Sequence, residues 1–417
     1  MDAPPMLFGP DRSADRVVRP RRALRAGVTQ VVAAALGFVL GLLLPEIDGG
    51  YQVAAERVVD VLKVVGLGVL SVATLIFSVL FLVVQWAAGN FSHRLQLFRT
   101  DPMVWRLFAL VVGVLVFSVT ATLAIGTHRT ASVAVPATAL VLAATALVQV
   151  RRLQLRALKS IQLAHVLAEL RDRGREVLRA MYPLPDGGDG HDVVPGSGPA
   201  PPLPDVTSTV VWAGDTALVA QVDWVRLVRV AERADAVVVV KVPVGTTLYP
   251  GDAVAQVCGG AVPDDEVLRA VVGEIERTFH QDPGLAFRLL ADIGLRALSP
   301  AINDPATAVQ VLDAVEDLLR PLARAELGDR SIPGATGAVR VVMRLPAWED
   351  FLRIGFDDLC RAASDAPMVL SRARHLLLRV REVAREERRP DLDERLAWVD
   401  AELSVRHPAF LREATDR

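Results

Sequence analysis

The densest run of groups able to do chemistry lies between Gly273 and Leu319. Arg277, His280, Gln281 and Asp282 crowd its start. A guanidinium, an imidazole and a carboxylate this close could ligate an ion or carry acid–base work. Arg288, Asp292 and Arg296 follow at intervals of four, which stacks them on one helix face as a charge ladder. Ser299, Asn303 and Asp304 complete the candidate network. A structural job accounts for several of the same residues. Asp304 before Pro305 reads as an N-cap followed by proline at the first helical position, and Asp292 would pair with its flanking arginines.

Two helices must position this network. Leu285, Leu289, Ile293 and Leu295 supply the apolar contacts of the first, which ends at Ser299-Pro300 because the residue before proline is pushed out of the α region. The second buries Ala308, Leu312, Val315, Leu319 and Leu322 and exposes Gln310, Asp313, Asp317 and Arg320. Together they predict an αα-hairpin with a tightly specified corner.

The run D-I-x-L-R-A-L-S-P-A-I-N-D-P-A-T-A, preceded by R-T-x-x-Q-D, resembles the DUF2254 family of predicted bacterial membrane proteins. The likeness extends to Phe91–Arg94 and to Phe356–Ala363, although Ser92-His93-Arg94 stands where that family usually has S-P-R. It implies four N-terminal spans followed by a cytoplasmic domain, and it implies no mechanism.

The charge pattern agrees with that architecture. Hydrophobic residues make up 52% of the chain, and the long charge-free runs lie almost entirely before Val150. Four of them, about Ala26–Leu44, Val64–Trp86, Leu107–Ile125 and Ala131–Val150, are near the ~20 residues a helix needs to cross a bilayer core. The first is too long for a signal-peptide h-region, and Leu44-Pro45-Glu46 offers no small-x-small cleavage site. Arginines flank the N-terminus, the second loop and the end of the fourth run, whereas the first loop carries Glu46, Asp48, Glu56 and Asp60. Both termini are therefore expected in the cytoplasm of a multi-pass protein of the bacterial plasma membrane. Within the second run Ser71, Thr74, Ser78 and Gln85 share a face. They read as helix packing or, if copies associate into a homo-oligomer, as the lining of a solute path.

The expected domains are a basic tail (1–25), a four-helix transmembrane domain (26–150) and a cytoplasmic helix (151–182) that continues the fourth span. A Gly/Pro-rich linker (183–205) follows, then a small β module (206–260) and a mainly helical domain (261–417) with a strand near 337–344. Within the β module Asp223–Arg233 reads as a helix and Ala236–Val242 as a buried strand. The pattern V-G-x-x-x-x-P-G-D-x-V-A-x-V (Val244–Val257) resembles the hammerhead hairpin of biotinyl/lipoyl-like modules, although Lys241 sits in no carrier-lysine motif. The fold class is thus membrane α-helical plus a cytoplasmic α+β domain.

A formal net charge of −2 argues against nucleic acid as a partner. Cys258 and Cys360 are too few and too far apart for a disulfide framework or zinc knuckle. No nucleotide-binding loop, metalloprotease, serine-hydrolase or kinase signature is present. Neither a cofactor nor a metal is expected. Arg372, Arg374, Arg379 and Arg381 read as a solvated or lipid-facing surface. The leading functional expectation is a non-catalytic, membrane-anchored sensing or scaffolding module that binds a cytoplasmic ligand or protein. A channel or transporter gated by the cytoplasmic domain comes next, and then an enzyme using Asp292, Asn303 and Asp304.

Overall fold

The computed structural model describes residues 22–47, 51–90, 102–126, 128–182, 184 and 202–408. Phe91–Arg94, Arg99, the basic tail before residue 22 and most of the 183–205 linker lie outside them. The described residues divide into two compact units, one before Leu167 and one from Leu167 onward.

In the first unit α1 (Arg22–Leu43) leads to a short strand β1 (Gln52–Ala54) and the long helix α2 (Ala55–Asn90). Then come α3 (Pro102–Ile125), β2 (Thr130–Ser132) and α4 (Ala134–Ile161). Four helices are long and apolar enough to cross a membrane, over Gly27–Glu46, Ala55–Val79, Met103–Ile125 and Ala134–Leu155. Strands β1 and β2 pair antiparallel, tying together the approaches to α2 and α4. Because α2 starts at Ala55, the acidic residues Glu56 and Asp60 lie on its first turns rather than in a loop.

Where α1 meets α3, glycine decides how close the backbones come. A Cβ on Gly37 would lie 2.4 Å from the Gly113 carbonyl oxygen, and one on Gly41 would lie 2.8 Å from Thr120 Cβ. Small residues at a helix crossing let dispersion contacts act where lipid offers no hydrophobic driving force between helices. The outer surface is apolar: Val31, Val64, Leu67, Leu75 and Leu123 each expose more than 60% of their area. A continuous apolar exterior of this kind marks a membrane-facing or partner-facing surface.

The second unit takes in α5 (Leu163–Met181) from Leu167 onward. Next are β3 (Val206–Val211), β4 (Ala217–Val222), α6 (Trp224–Arg233), β5 (Ala236–Val240), β6 (Thr247–Leu248) and β7 (Ala253–Gly259). A short helix α7 (Asp264–Leu268) and β8 (Val271–Glu274) precede the hairpin of α8 (Leu285–Ala297) and α9 (Pro305–Arg324). Strands β9 (Arg330–Pro333) and β10 (Val339–Met343) follow, then α10 (Trp348–Leu352), a single π turn (Arg353–Asp357), α11 (Asp358–Ala362), α12 (Pro367–Val383) and α13 (Arg389–Arg406).

All five residues of β5 are buried, the pattern of a strand covered on both faces. It lies at the centre of a five-stranded sheet ordered β3-β7-β5-β10-β9, parallel to β10 and antiparallel to β7. A second, three-stranded antiparallel sheet is ordered β6-β4-β8. The hammerhead expectation is not confirmed by this pairing. β6 and β7 do not pair with each other; they belong to different sheets, so the Pro250-Gly251-Asp252 turn changes sheet instead of closing a hairpin. Partners for β5 also come from 80 residues beyond the expected β module, in β10.

Helix α6 starts where expected: the Asp223 carboxylate accepts the Arg226 N–H at 3.0 Å, and Trp224, Leu227, Val230 and Ala231 are buried at helical spacing. The arginines of α12 do not form a free basic surface. Arg372 pairs with Asp313 and the buried Glu316, Arg379 with Glu316, Arg374 with Asp400, and Arg381 with Asp393. They bind α12 to α9 and α13.

Gly37→Leu should force α1 and α3 apart, and overpacking of this kind costs about 1–3 kcal/mol. The expected outcome is a lower melting temperature for the detergent-solubilised protein, with Gly68→Leu, whose position is open, close to wild type. Equal effects at the two positions would contradict the close crossing.

Candidate functional site

A carboxylate with 1% of its side chain exposed sits at the base of the α8 approach. Arg277 Nε and Nη2 donate to the two Asp282 oxygens at 2.6 and 2.8 Å, a bidentate pair. The Gly284 N–H adds a third bond at 3.1 Å. Burial nonetheless pushes the Asp282 pKa up, outweighing the Arg277 bonds and charge that pull it down. Gly245 covers the pair. Its φ is +91°, and a Cβ there would lie 2.5 Å from Asp282 Oδ2 and 2.8 Å from Arg277 Nη2, so only glycine fits.

Next to Asp282, Gln281 is a structural clamp: its amide accepts the Val222 N–H at 2.8 Å and donates to the Val222 carbonyl at 3.2 Å. It fixes the end of β4 to the approach of α8.

The pair forms one wall of a cavity of about 750 Å³. The Pro243–Thr246 loop, Leu327–Asp329, Arg344–Trp348, Asp350, the π-turn residues Arg353 and Ile354, and Glu387, Arg388 and Asp391 complete it. Four arginines and five carboxylates line it, so neither sign of charge dominates. Several of these groups are committed to each other. Asp350 accepts from Arg353 Nη2 at 2.8 Å and from the Ala347 N–H at 3.0 Å. Arg388 is buried, donates to the Leu322 and Ala325 carbonyls, and lies 5.4 Å from the Trp348 ring centroid. Burial pulls its pKa down. The Tyr182 hydroxyl donates to the Pro346 carbonyl at 2.8 Å, fixing the Arg344–Trp348 wall, and burial raises its pKa well above the ordinary value.

Other groups are left over. Trp348 is 5% exposed, and its Nε1–H has no acceptor among the described residues. Arg344 is exposed, and no carboxylate or carbonyl holds its guanidinium among the described residues. No three His, Cys, Asp or Glu side chains cluster as cation ligands would among those residues.

The nine residues singled out in the sequence separate into three groups. Arg277 and Asp282 line the cavity, with Gln281 behind them. Arg288 and Asp292 form an ion pair at 3.0 Å along α8, outside the cavity lining, and Arg296 lies a turn further on. Ser299, Asn303 and Asp304 build the α8–α9 corner. Ser299 Oγ donates to the Arg296 carbonyl, Asn303 takes the left-handed conformation at φ +49°, and Asp304 accepts from the Thr307 N–H at 3.1 Å as N-cap. The Thr307 bonds hold the Asp304 pKa down. Sequence reasoning missed Arg344, Trp348, Asp329 and Arg388. Val244-Gly245 was visible only as a turn, and no spacing signal joins it to residues a hundred positions away.

In the first unit Ser71, Thr74 and Ser78 donate to carbonyls four residues back, and all three are exposed, as is Gln85. The polar face of α2 therefore points away from the packed interior of its own unit.

Four helices of membrane-crossing length joined to a helical and small-sheet region define a predicted membrane protein. The chain belongs to the DUF2254 family, described as predicted membrane protein, whose profile matches residues 25–379. Uncharacterised proteins of Mycobacterium tuberculosis (strain H37Rv) and Mycobacterium bovis are each 28% identical to it over 330 residues, 76% of this chain. The chain spans 62% of the length of these relatives. No solved structure gives a significant match.

Asp304→Ala should lower stability by about 0.5–2 kcal/mol, the cost of a lost cap, without altering the cavity. Chemical denaturation of the wild type and variant measures it, and an unchanged midpoint would contradict the capping role. The raised pKa of Asp282 gives a signed pH effect. Between the ordinary carboxylate value and the raised one, the folded state binds more protons than the unfolded state, so this group's contribution falls as pH rises through that window. Asp282→Asn should remove that slope from the pH–stability profile. A wild-type profile parallel to the variant's would contradict it.

Proposed function

We propose that this chain is a non-catalytic sensing module anchored in the bacterial plasma membrane. Its four helices cross the bilayer with both termini cytoplasmic, and residues 167–417 bind a small molecule. The domain divisions read from the sequence serve that reading, with 183–205 as a tether between helix and sheet segments. One observation carries the proposal: a cavity of about 750 Å³ walled by a glycine-covered ion pair and lined also by Arg344, whose guanidinium no carboxylate or carbonyl holds among the described residues.

The lining favours binding over catalysis. It contains no serine, cysteine, histidine or lysine, and both cysteines are buried elsewhere. Asp292, Asn303 and Asp304, the residues of the enzymatic alternative, have ion-pairing and corner roles outside the lining.

The test is a thermal-shift screen of the full-length protein in detergent against small metabolites. At least one compound should raise the wild-type melting temperature in a concentration-dependent way, by the equivalent of about 2.7 kcal/mol at a hundred times its Kd. Arg344→Ala should abolish the rise. Equal shifts in both proteins, or none in either, would overturn the reading.

A further inference from the structure

We infer that α5 is a strut through which the fourth membrane-length helix, α4, sets the spacing of the cavity walls. Only Gln162 separates the two helices, and its carbonyl accepts the His165 and Val166 N–H groups at 2.9 and 3.2 Å, so α5 opens directly on the end of α4. Leu167, Leu170, Val177, Leu178 and Met181 are buried at helical spacing, which gives α5 one packed face along its length. The regulatory part of the inference rests on the cavity being a ligand site.

This packed helix meets both walls of the cavity. On one side Gly174 lies against α8 and α9: a Cβ there would be 2.7 Å from Ala286 Cβ and 3.2 Å from Leu318 Cδ1. Ala286 stands four residues after Asp282, at the start of the helix that follows the Arg277–Asp282 wall. Asp317 of α9 holds the flanking Arg171 and Arg175 at 3.4 and 3.5 Å. On the other side the Tyr182 hydroxyl donates to the Pro346 carbonyl, within the Arg344–Trp348 wall. Gly174 and Tyr182 are eight positions apart, about 12 Å of helical rise. Arg330 donates to the Ala180 carbonyl at 3.1 Å and fixes the last turn between them. Stacked rings tie the walls to each other behind the helix: Tyr182 lies 5.9 Å from Phe351, and Phe351 lies 5.1 Å from Phe287 of α8. Close-packed contacts of this kind transmit a displacement instead of absorbing it. Movement of α4 therefore shifts both walls, and an occupant that favours one wall spacing biases α4 in return.

The test places spin labels on full-length protein at Thr247→Cys and Glu349→Cys, exposed positions beside the covering loop and the Arg344–Trp348 wall. The native Cys258 and Cys360 are buried. The label separation is measured in nanodiscs of dimyristoylphosphatidylcholine and of dierucoylphosphatidylcholine, whose difference in thickness displaces spanning helices. It should differ between the two lipids by about 2 Å, the size of ordinary helix shifts. Three glycines inserted after Gln162 should abolish that difference, and Tyr182→Phe, which keeps the ring, should reduce it by half or more. A control pair at Val211→Cys and Val225→Cys, also exposed, should keep one separation in both lipids. No lipid effect in the otherwise wild-type protein would overturn the strut. So would an effect that survives the glycine insertion or Tyr182→Phe in full, or an equal change at the control pair. The thermal-shift screen reads the ligand site without reference to α5, so either reading can fail alone.

Discussion

An ionised carboxylate removed from water needs compensation, and at Asp282 that requirement organises the second unit. Arg277 supplies a bidentate partner and the Gly284 N–H a further bond. The backbone at Gly245 passes over the pair so closely that it leaves no room for a side chain of its own. Gly245 is in turn bonded to Val219 of β4, and Gln281, one residue before the carboxylate, clamps Val222 at the other end of the same strand. One charge pair thus ties the three-stranded sheet to the start of α8. Breaking it from one side would leave a buried charge uncompensated, which costs more than the intact pair gains.

Local chemistry was readable before the fold was known, and long-range pairing was not. Asp304-Pro305 and Asp223 announce helix starts because a cap and its helix lie within four residues of each other. The valine run at Ala236–Val240 announces a buried strand because burial on both faces leaves a continuous apolar stretch. Nothing near β5 says that its parallel neighbour is β10, since that contact depends on closing a loop of about a hundred residues. The hammerhead reading is unconfirmed for a related reason. A glycine turn and a Pro-Gly-Asp turn specify where the chain bends, but not which strand each arm then joins. Among the candidate residues, Arg277 and Asp282 were identified by their closeness in sequence, and Arg344 and Trp348 could emerge only from the fold.

The first unit follows a different rule. Its interior is made by glycine at the α1–α3 crossing and by buried aliphatic side chains, and the hydroxyls of α2 stand outside. Each hydroxyl is satisfied by its own helix, so none demands a partner to offset a bare polar group in hydrocarbon. Among the described residues, the hydroxyls of α2 therefore line no path through the packed interior of a single copy. A conduit on that face would need a second surface to enclose it.

The string A-L-S-P-A-I-N-D-P, on which the resemblance in the sequence rests, is a folding device in this structure. Ser299 closes one helix, Asn303 turns the chain through the left-handed region, and Asp304 opens the next. Its products, α8 and α9, are the supports on which the Arg277–Asp282 pair and the Leu322 and Ala325 carbonyls are mounted. Those carbonyls hold Arg388 over Trp348. The family match ends at residue 379, before the Glu387–Asp391 wall of the cavity. The matched part therefore contains the pair, the covering loop, Arg344 and Trp348, and Glu387, Arg388 and Asp391 lie beyond it. The corner motif thus acts on the cavity through the two helices it joins, while three of the residues that line that cavity lie beyond the matched span.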